Sequence, residues 1–194
     1  MIGAVVLAAG RSQRMGCPKM ILPWGRTTVI GQVVNVLLAV GVDDVLVVTG
    51  GAQDEVEGAL TGLSVRTVFN PEFANGEMMH TLQVGLAALE NDVEAALVVL
   101  GDQPQIEQTV VRSVLTAFES KIQPLVVPSF QSRRGHPWLV GRSLWGGLLG
   151  LQPPATMRQF LDRYASEIHY VNVNTHSILQ DLDTPEDYQR YQSA

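Results

Sequence analysis

Apolar residues along this chain follow two alternating rhythms. Residues 2–8 form a short, uninterrupted apolar run rich in β-branched side chains, the pattern of a strand buried on both faces. From Thr27 to Val40 the apolar positions Val29, Ile30, Val33, Val34, Leu37 and Leu38 recur at helical spacing, and Gly41 supplies a stop. The alternation repeats as strand 45–49, helix 53–60, strand 65–69, helix 78–89, strand 95–100, helix 106–119 and strand 125–128. Strands alternating with helices of about ten residues predict βαβ units and a mostly parallel sheet, an α/β fold. Beyond residue 128 the rhythm changes to a hairpin-like piece over 130–140, helical stretches at 144–149 and 156–164, a strand at 168–173 and a closing helix from Thr184. No repeat, low-complexity tract or linker divides the chain, so residues 1–194 read as one domain with a small β-hairpin and helical annex.

Composition narrows the class. At 46% apolar, 194 residues suffice for one sizeable core. No apolar run reaches the roughly 18 residues needed to cross a bilayer, and the first residues lack the basic segment of a signal peptide, so the expected location is cytoplasmic with no membrane partner. The single cysteine, Cys17, excludes an internal disulfide and a cysteine-based zinc site, and it reads as a small filler residue. A net charge of −6 argues against a nucleic-acid polymer as partner. The distribution is more telling than the total. Residues 1–42 hold Arg11, Arg14, Lys19 and Arg26 with no acid, and residues 120–161 hold Lys121, Arg133, Arg134, Arg142 and Arg158 with no acid. Two basic islands thus sit in an otherwise acidic chain.

In a parallel α/β sheet the ligand lies outside the carboxyl ends of the strands, which singles out the residues found there. The first loop, LAAGRSQRMGCPK from Leu7 to Lys19, has the parts of an anion cradle: Gly10 and Gly16 free the backbone N–H groups, and Arg11, Arg14 and Lys19 add charge. Its spacing matches neither a Walker A loop nor a GxGxxG fingerprint. A solvated polar loop is the plainer reading, weakened by the placement of one of only two lysines in an acid-free strand end. Asp102, in GDQP after the fourth long apolar strand, suits either Mg²⁺ or the cap of the next helix. In DLDTPEDY, Thr184, Pro185 and Asp187 read as a helix start, which leaves Asp181 and Asp183 unexplained. Arg133, Arg134 and His136, in RRGHP, suit a second anion or an ordinary hairpin. His80 falls at the start of a helix, whose amino end attracts anions, while Met78 and Met79 read as core.

Taken in order, LAAGRSQRMGCPK, GDQP, RGHP and DLDTPEDY resemble the MobA-like nucleotidyltransferases, and within them the molybdenum cofactor cytidylyltransferases. The resemblance spans nearly the whole chain and implies a three-layer Rossmann-like fold. It also implies a Mg²⁺-dependent reaction, with Mn²⁺ as the alternative ion, in which a cofactor phosphate attacks the α-phosphorus of a nucleoside triphosphate and expels pyrophosphate. Carried over residue by residue, Leu7, Ala8, Ala9 and Gly10 would lie along the base, Arg11, Arg14 and Lys19 would hold the triphosphate, and Asp102 and Asp183 would face the metal. Arg14, Lys19 and Asp102 would be catalytic, and Arg134, His136 and His80 would belong to the acceptor side. The guanylyl-transferring branch has Gly where this chain has Ala9, which favours CTP over GTP. The implied partners are CTP and a molybdopterin-type cofactor, then a molybdoenzyme or its maturation chaperone. Residues 1–105 would form the donor half and 106–194 the acceptor half.

Two segments depart from the family pattern, both on the acceptor side: LQPPATMRQF from Leu151 to Phe160 replaces a Gly-Asp-x-Gly segment, and Met79-His80-Thr81 replaces small hydroxyl residues. Sugar or polyol phosphates therefore stand as alternative acceptors, and a non-catalytic molybdopterin carrier as the alternative to an enzyme. An NAD(P)-dependent oxidoreductase would share the βαβ start. It would also require GxGxxG and an acid ending the second strand, where this chain reads Val47-Val48-Thr49-Gly50-Gly51.

Overall fold

A computed structural model of the protein describes residues 1–75, 78–120 and 122–192. Lys121, counted above in the second basic island, lies outside the described residues. The strands are β1 (Ile2–Leu7), β2 (Pro23–Trp24), β3 (Thr27–Thr28), β4 (Asp44–Thr49), β5 (Arg66–Phe69), β6 (Ala95–Leu100), β7 (Leu125–Phe130), β8 (Arg133–Arg134), β9 (Trp138–Gly141) and β10 (Ile168–Asn172). The helices are α1 (Val29–Ala39), α2 (Gln53–Ala59), α3 (Met78–Ala88), α4 (Gln108–Glu119), α5 (Trp145–Leu149), α6 (Met157–Arg163) and α7 (Pro185–Gln192).

The main sheet runs β10-β7-β9-β6-β1-β4-β5, with β8 paired to β7 at its end. β1 pairs in parallel with both β4 and β6, β4 with β5, and β7 with β10. The expected annex contributes more than an appendage. β9 enters the main sheet antiparallel between β6 and β7, so the segment read as a hairpin closes the gap between the two halves of the sheet. Its residues Trp138, Leu139 and Val140 are fully or almost fully buried.

Period-two alternation places Ala4 and Val6 of β1 on one face, with Ile30, Val33, Val34 and Leu37 of α1 and Val111 and Val114 of α4. Val5 and Leu7 point to the other face, with Met79, Leu82 and Leu86 of α3 and Trp145, Leu148 and Phe160 further along. Each strand feeds both apolar layers, which is why it reads as a continuous apolar run. Helix starts follow local chemistry. The Thr28 hydroxyl accepts from the Gly31 N–H at 3.1 Å, and Thr156 and Gln159 form a capping box at α6. At α7, Asp187 N–H donates to the Thr184 hydroxyl (3.2 Å) while Thr184 N–H donates to the Asp187 carboxylate (3.0 Å), as the sequence implies. Among the described residues no helix is long and apolar enough to cross a membrane.

Candidate active site

The loop after β1 is shaped by its own polar groups. Ser12 and Gly16 both take left-handed backbone conformations (φ 50° and 69°), which fold residues 12–16 back on themselves. The Lys19 N–H donates to the Ser12 hydroxyl at 3.1 Å, and the Met15 N–H to the Ser12 carbonyl at 3.0 Å. Ser12 thereby fixes the start of the turn that carries Lys19. Sequence reasoning passed over it because a serine in a polar loop carries no distinguishing pattern.

From that turn the Lys19 side chain, only 11% exposed, reaches across the carboxyl ends of the strands. Its Nζ lies 2.5 Å from Asp102 Oδ2 and 3.6 Å from Asp183 Oδ1, and it donates to the Leu182 carbonyl at 2.9 Å. Arg14 meets Asp183 at 2.9 Å. Asp102 is therefore not the cap of α4, whose N-cap position is Glu107. Asp181, two residues from Asp183, accepts from Gln103 Nε2 at 2.7 Å. Burial first, and the nearby Asp102 carboxylate second, push its pKa up, against the lowering effect of that hydrogen bond.

Arg14, Lys19, Asp102 and Asp183, but not Asp181, line one side of a cavity of about 620 Å³ at the ends of β1 and β6. Leu7, Ala9, Gly10, Arg11, Arg14, Lys19, Asp102 and Asp183 all contribute to it, so the structure brings together the residues picked from the first loop, GDQP and the DLDTP segment. Ala8 is the exception, since it packs in the core on the opposite face of the sheet. Phe73, Thr81, Ser12, Met78 and Leu100 also line it. Met78 is 49% exposed and belongs to this cavity, unlike Met79, which packs in the core as expected. Cys17 is exposed and fills no space.

The acceptor-side candidates are placed differently. Arg134 and His136 line a second cavity of about 1010 Å³ with Arg133, Arg158 and Tyr170. Arg134 is already neutralised there by Asp162 at 2.5 Å and held by the Tyr170 hydroxyl at 2.9 Å. Burial pushes the His136 imidazole down to a pKa of about 4, which makes it a neutral hydrogen-bonding ring at physiological pH and not the cationic anion receptor its basic surroundings suggested. His80 lines neither cavity and faces Glu72, with Nε2 3.7 Å from the carboxylate.

A divalent cation fits the first cavity. Asp102 and Asp183 converge on one point, now marked by the lysine ammonium, and offer the hard oxygen ligands that Mg²⁺ or Mn²⁺ takes. Among the described residues no group of three or more His, Cys, Asp or Glu side chains could hold a metal alone. Two carboxylates with water and phosphate oxygens would complete the shell, as is usual for Mg²⁺ at phosphate sites.

A mostly parallel sheet with a cationic glycine loop and paired carboxylates at its carboxyl ends defines a nucleotidyltransferase. The chain belongs to the family of the MobA-like NTP transferase domain, whose model matches residues 4–168. It is 26% identical over 191 residues to the molybdenum cofactor cytidylyltransferase of Escherichia coli (strain K12), covering 96% of this chain and 93% of that one. It is 27% identical over 201 residues to the nicotine blue oxidoreductase of Paenarthrobacter nicotinovorans, covering 97% and 95%. Among solved structures, a nucleotidyl transferase from Methanothermobacter thermautotroptrophicus matches with a TM-score of 0.84 at 27% identity over 100% of this chain and 96% of that one. The manganese complex of Rv0371C from Mycobacterium tuberculosis H37Rv matches with a TM-score of 0.82 at 26% identity, over 100% and 98%.

Proposed function

We propose that this enzyme transfers CMP from CTP to the phosphate of a molybdopterin cofactor and releases pyrophosphate. The observation that carries the reading is the meeting of Lys19, Asp102 and Asp183 in the cavity behind the Gly10–Gly16 loop. That cavity offers an N–H-lined loop to a triphosphate and a carboxylate pair to its cation. Full-length similarity to a molybdenum cofactor cytidylyltransferase supports the choice of nucleotide and acceptor.

The cytosine lies along Leu7, Ala9 and Gly10, with the triphosphate directed towards Lys19. A phosphate oxygen of the acceptor forms a bond to the α-phosphorus while the bond from that phosphorus to the α,β-bridging oxygen breaks, and pyrophosphate leaves with the electron pair. Arg11, Arg14 and Lys19 offset the charge that builds on the leaving group. Asp102 and Asp183 would hold Mg²⁺ or Mn²⁺. When bound, the ion supplies Lewis-acid neutralisation of phosphate charge. No protein nucleophile is required, because the acceptor phosphate is already an anion. The acceptor enters past the carboxyl end of β7 and the amino end of β9, where Arg134 and the neutral His136 lie, and His80 stands at the head of α3 behind Glu72. The donor half, about residues 1–105, takes Asp183 from the acceptor half, about 106–194, so neither half forms the site alone. The product would pass to a molybdoenzyme or its maturation chaperone, in the cytoplasm.

Pyrophosphate release by purified protein with Mg²⁺ and each of CTP, GTP, ATP and UTP, with and without molybdopterin, tests the reading. Release is expected with CTP and molybdopterin together. Release only with a sugar or polyol phosphate would change the acceptor, and no release under any combination would refute the transferase assignment.

A further inference from the structure

We infer that Phe73 is a specificity-determining residue that limits the donor nucleotide to a pyrimidine, an inference that rests on the donor site proposed above. Phe73 lies on a turn of 3-10 helix, Phe73–Asn75, that follows β5. The turn is tied down by Asn70, itself 1% exposed. The Asn70 carbonyl accepts from the Phe73 N–H (3.2 Å), its side-chain oxygen accepts from the Glu72 N–H (3.0 Å), and its amide donates to the Thr81 hydroxyl (3.1 Å).

The ring rests on a seat made of bare backbone. A Cβ at Gly50 would stand 2.4 Å from the Ala9 carbonyl oxygen and 2.8 Å from Phe73 Cβ, and a Cβ at Gly51 would stand 2.9 Å from Phe73 Cε2. Neither position has room for a side chain while Phe73 keeps its place. Gly50 at the end of β4 therefore answers first to the Ala9 backbone and then to Phe73, and Gly51 to the Phe73 ring, which accounts for a dipeptide that the sequence marked only as a strand end. Phe69 packs against the ring with centroids 5.9 Å apart, and the Arg11 guanidinium lies over it at 5.8 Å. Backbone below and an aromatic ring beside it leave the wall little freedom to retreat.

The position of this wall within the cavity gives it a role. Lys19, Asp102 and Asp183 mark the phosphate end. Phe73 stands against Gly50, which in turn touches Ala9, so the ring stands beside the backbone along which the base would lie, with Arg11 reaching over it. A pyrimidine offers one ring to that space; a purine brings a fused imidazole as well. Truncating Phe73 to Ala removes a six-carbon ring, more than the imidazole that separates the two classes of base.

The test is the affinity of CTP and GTP, with Mg²⁺, for the wild type, Phe73→Ala and Phe73→Leu by isothermal titration, alongside thermal unfolding. The wild type is expected to favour CTP. Phe73→Ala should reduce the CTP-to-GTP preference at least tenfold, chiefly by gaining GTP, and Phe73→Leu, which keeps an apolar contact with the glycine seat, should fall between the two. A folded Phe73→Leu variant with the wild-type preference would overturn the inference and leave the transferase reading intact, as would an equal loss of both nucleotides. A wild type that binds no nucleotide, or prefers GTP, would overturn the inference together with the proposed donor.

Discussion

On the proposed mechanism Lys19 has two roles that pull in opposite directions. Its ammonium stands between the Asp102 and Asp183 carboxylates, so a divalent cation held by that pair would compete with it. Deleting that charge should therefore favour the bare metal while harming the reaction. Lys19→Gln is expected to bind Mn²⁺ about tenfold more tightly without nucleotide, read by electron paramagnetic resonance titration, and to turn over about a hundredfold more slowly. Arg11→Gln removes a charge from the same cavity, but Arg11 makes no ion pair among the described residues, and it should leave Mn²⁺ affinity within about twofold. Unchanged or weaker Mn²⁺ binding by Lys19→Gln would count against the competition. His136 carries a second residue-level consequence. The unfolded chain takes up a proton on this imidazole near its ordinary value of 6.5, whereas the folded protein resists protonation down to about pH 4. Stability should thus fall as pH drops from about 6.5 towards 4, by on the order of 3 kcal/mol. Urea unfolding across that range should show a shallower pH slope for His136→Gln than for the wild type; identical slopes would refute the assignment.

At the scale of elements, the loop after β6 and the segment before α7 are stitched together. Leu182 N–H donates to the Asp102 carbonyl at 3.1 Å, Gln103 to Asp181, Gln105 to the Gln180 carbonyl, and Lys19 to the Leu182 carbonyl. This stitch crowds Asp102, Asp181 and Asp183 around one lysine. Because burial and the Asp102 charge disfavour the ionised form of Asp181, its charge is a cost to the fold at neutral pH. Asp181→Asn retains an oxygen for Gln103 and should stabilise the protein slightly at pH 7, seen as a higher unfolding midpoint; a lower midpoint would show that the carboxylate is a net gain. The sequence made the elements themselves legible, down to the Thr184–Asp187 cap, because periodicity and capping are local. It did not reveal that β9 inserts antiparallel beside β6, since pairing partners are chosen by distant chain segments and leave no mark in a strand's own alternation. Nor did it reveal β2 and β3, two residues each, too short for any period to register. In the site, charged groups at strand ends stood out, whereas Ser12 and Phe73 are held by a turn and a glycine seat visible only in three dimensions.

For the whole molecule, the net charge of −6 conceals two basic surfaces along one edge of the sheet. Both cavities open at the carboxyl ends of strands on the same face. Trp138, in the second cavity, pairs with Val98 of β6, and Leu100, two residues further on, lines the first. The two linings are thus one strand apart laterally and two residues, about 7 Å, apart along the strand, so on the proposed reading the second basic island is the neighbouring surface for the body of the acceptor. Within that island the cations are not equivalent. Arg134 is committed to Asp162 and Tyr170, while Arg133 and Arg158 are exposed and make no ion pair among the described residues. Arg133 and Arg158 are therefore the charges free to meet an incoming anion, and Arg134 is a strut. Arg133→Gln and Arg158→Gln should each raise the acceptor KM by about threefold to tenfold with the CTP KM unchanged, an effect that shrinks as salt is added. Arg134→Gln should instead lower thermal stability, because Asp162 and Tyr170 lose their partner. Steady-state kinetics at two ionic strengths separates the two cases. Equal, salt-independent effects of all three substitutions would mean that the island serves the fold and not the acceptor.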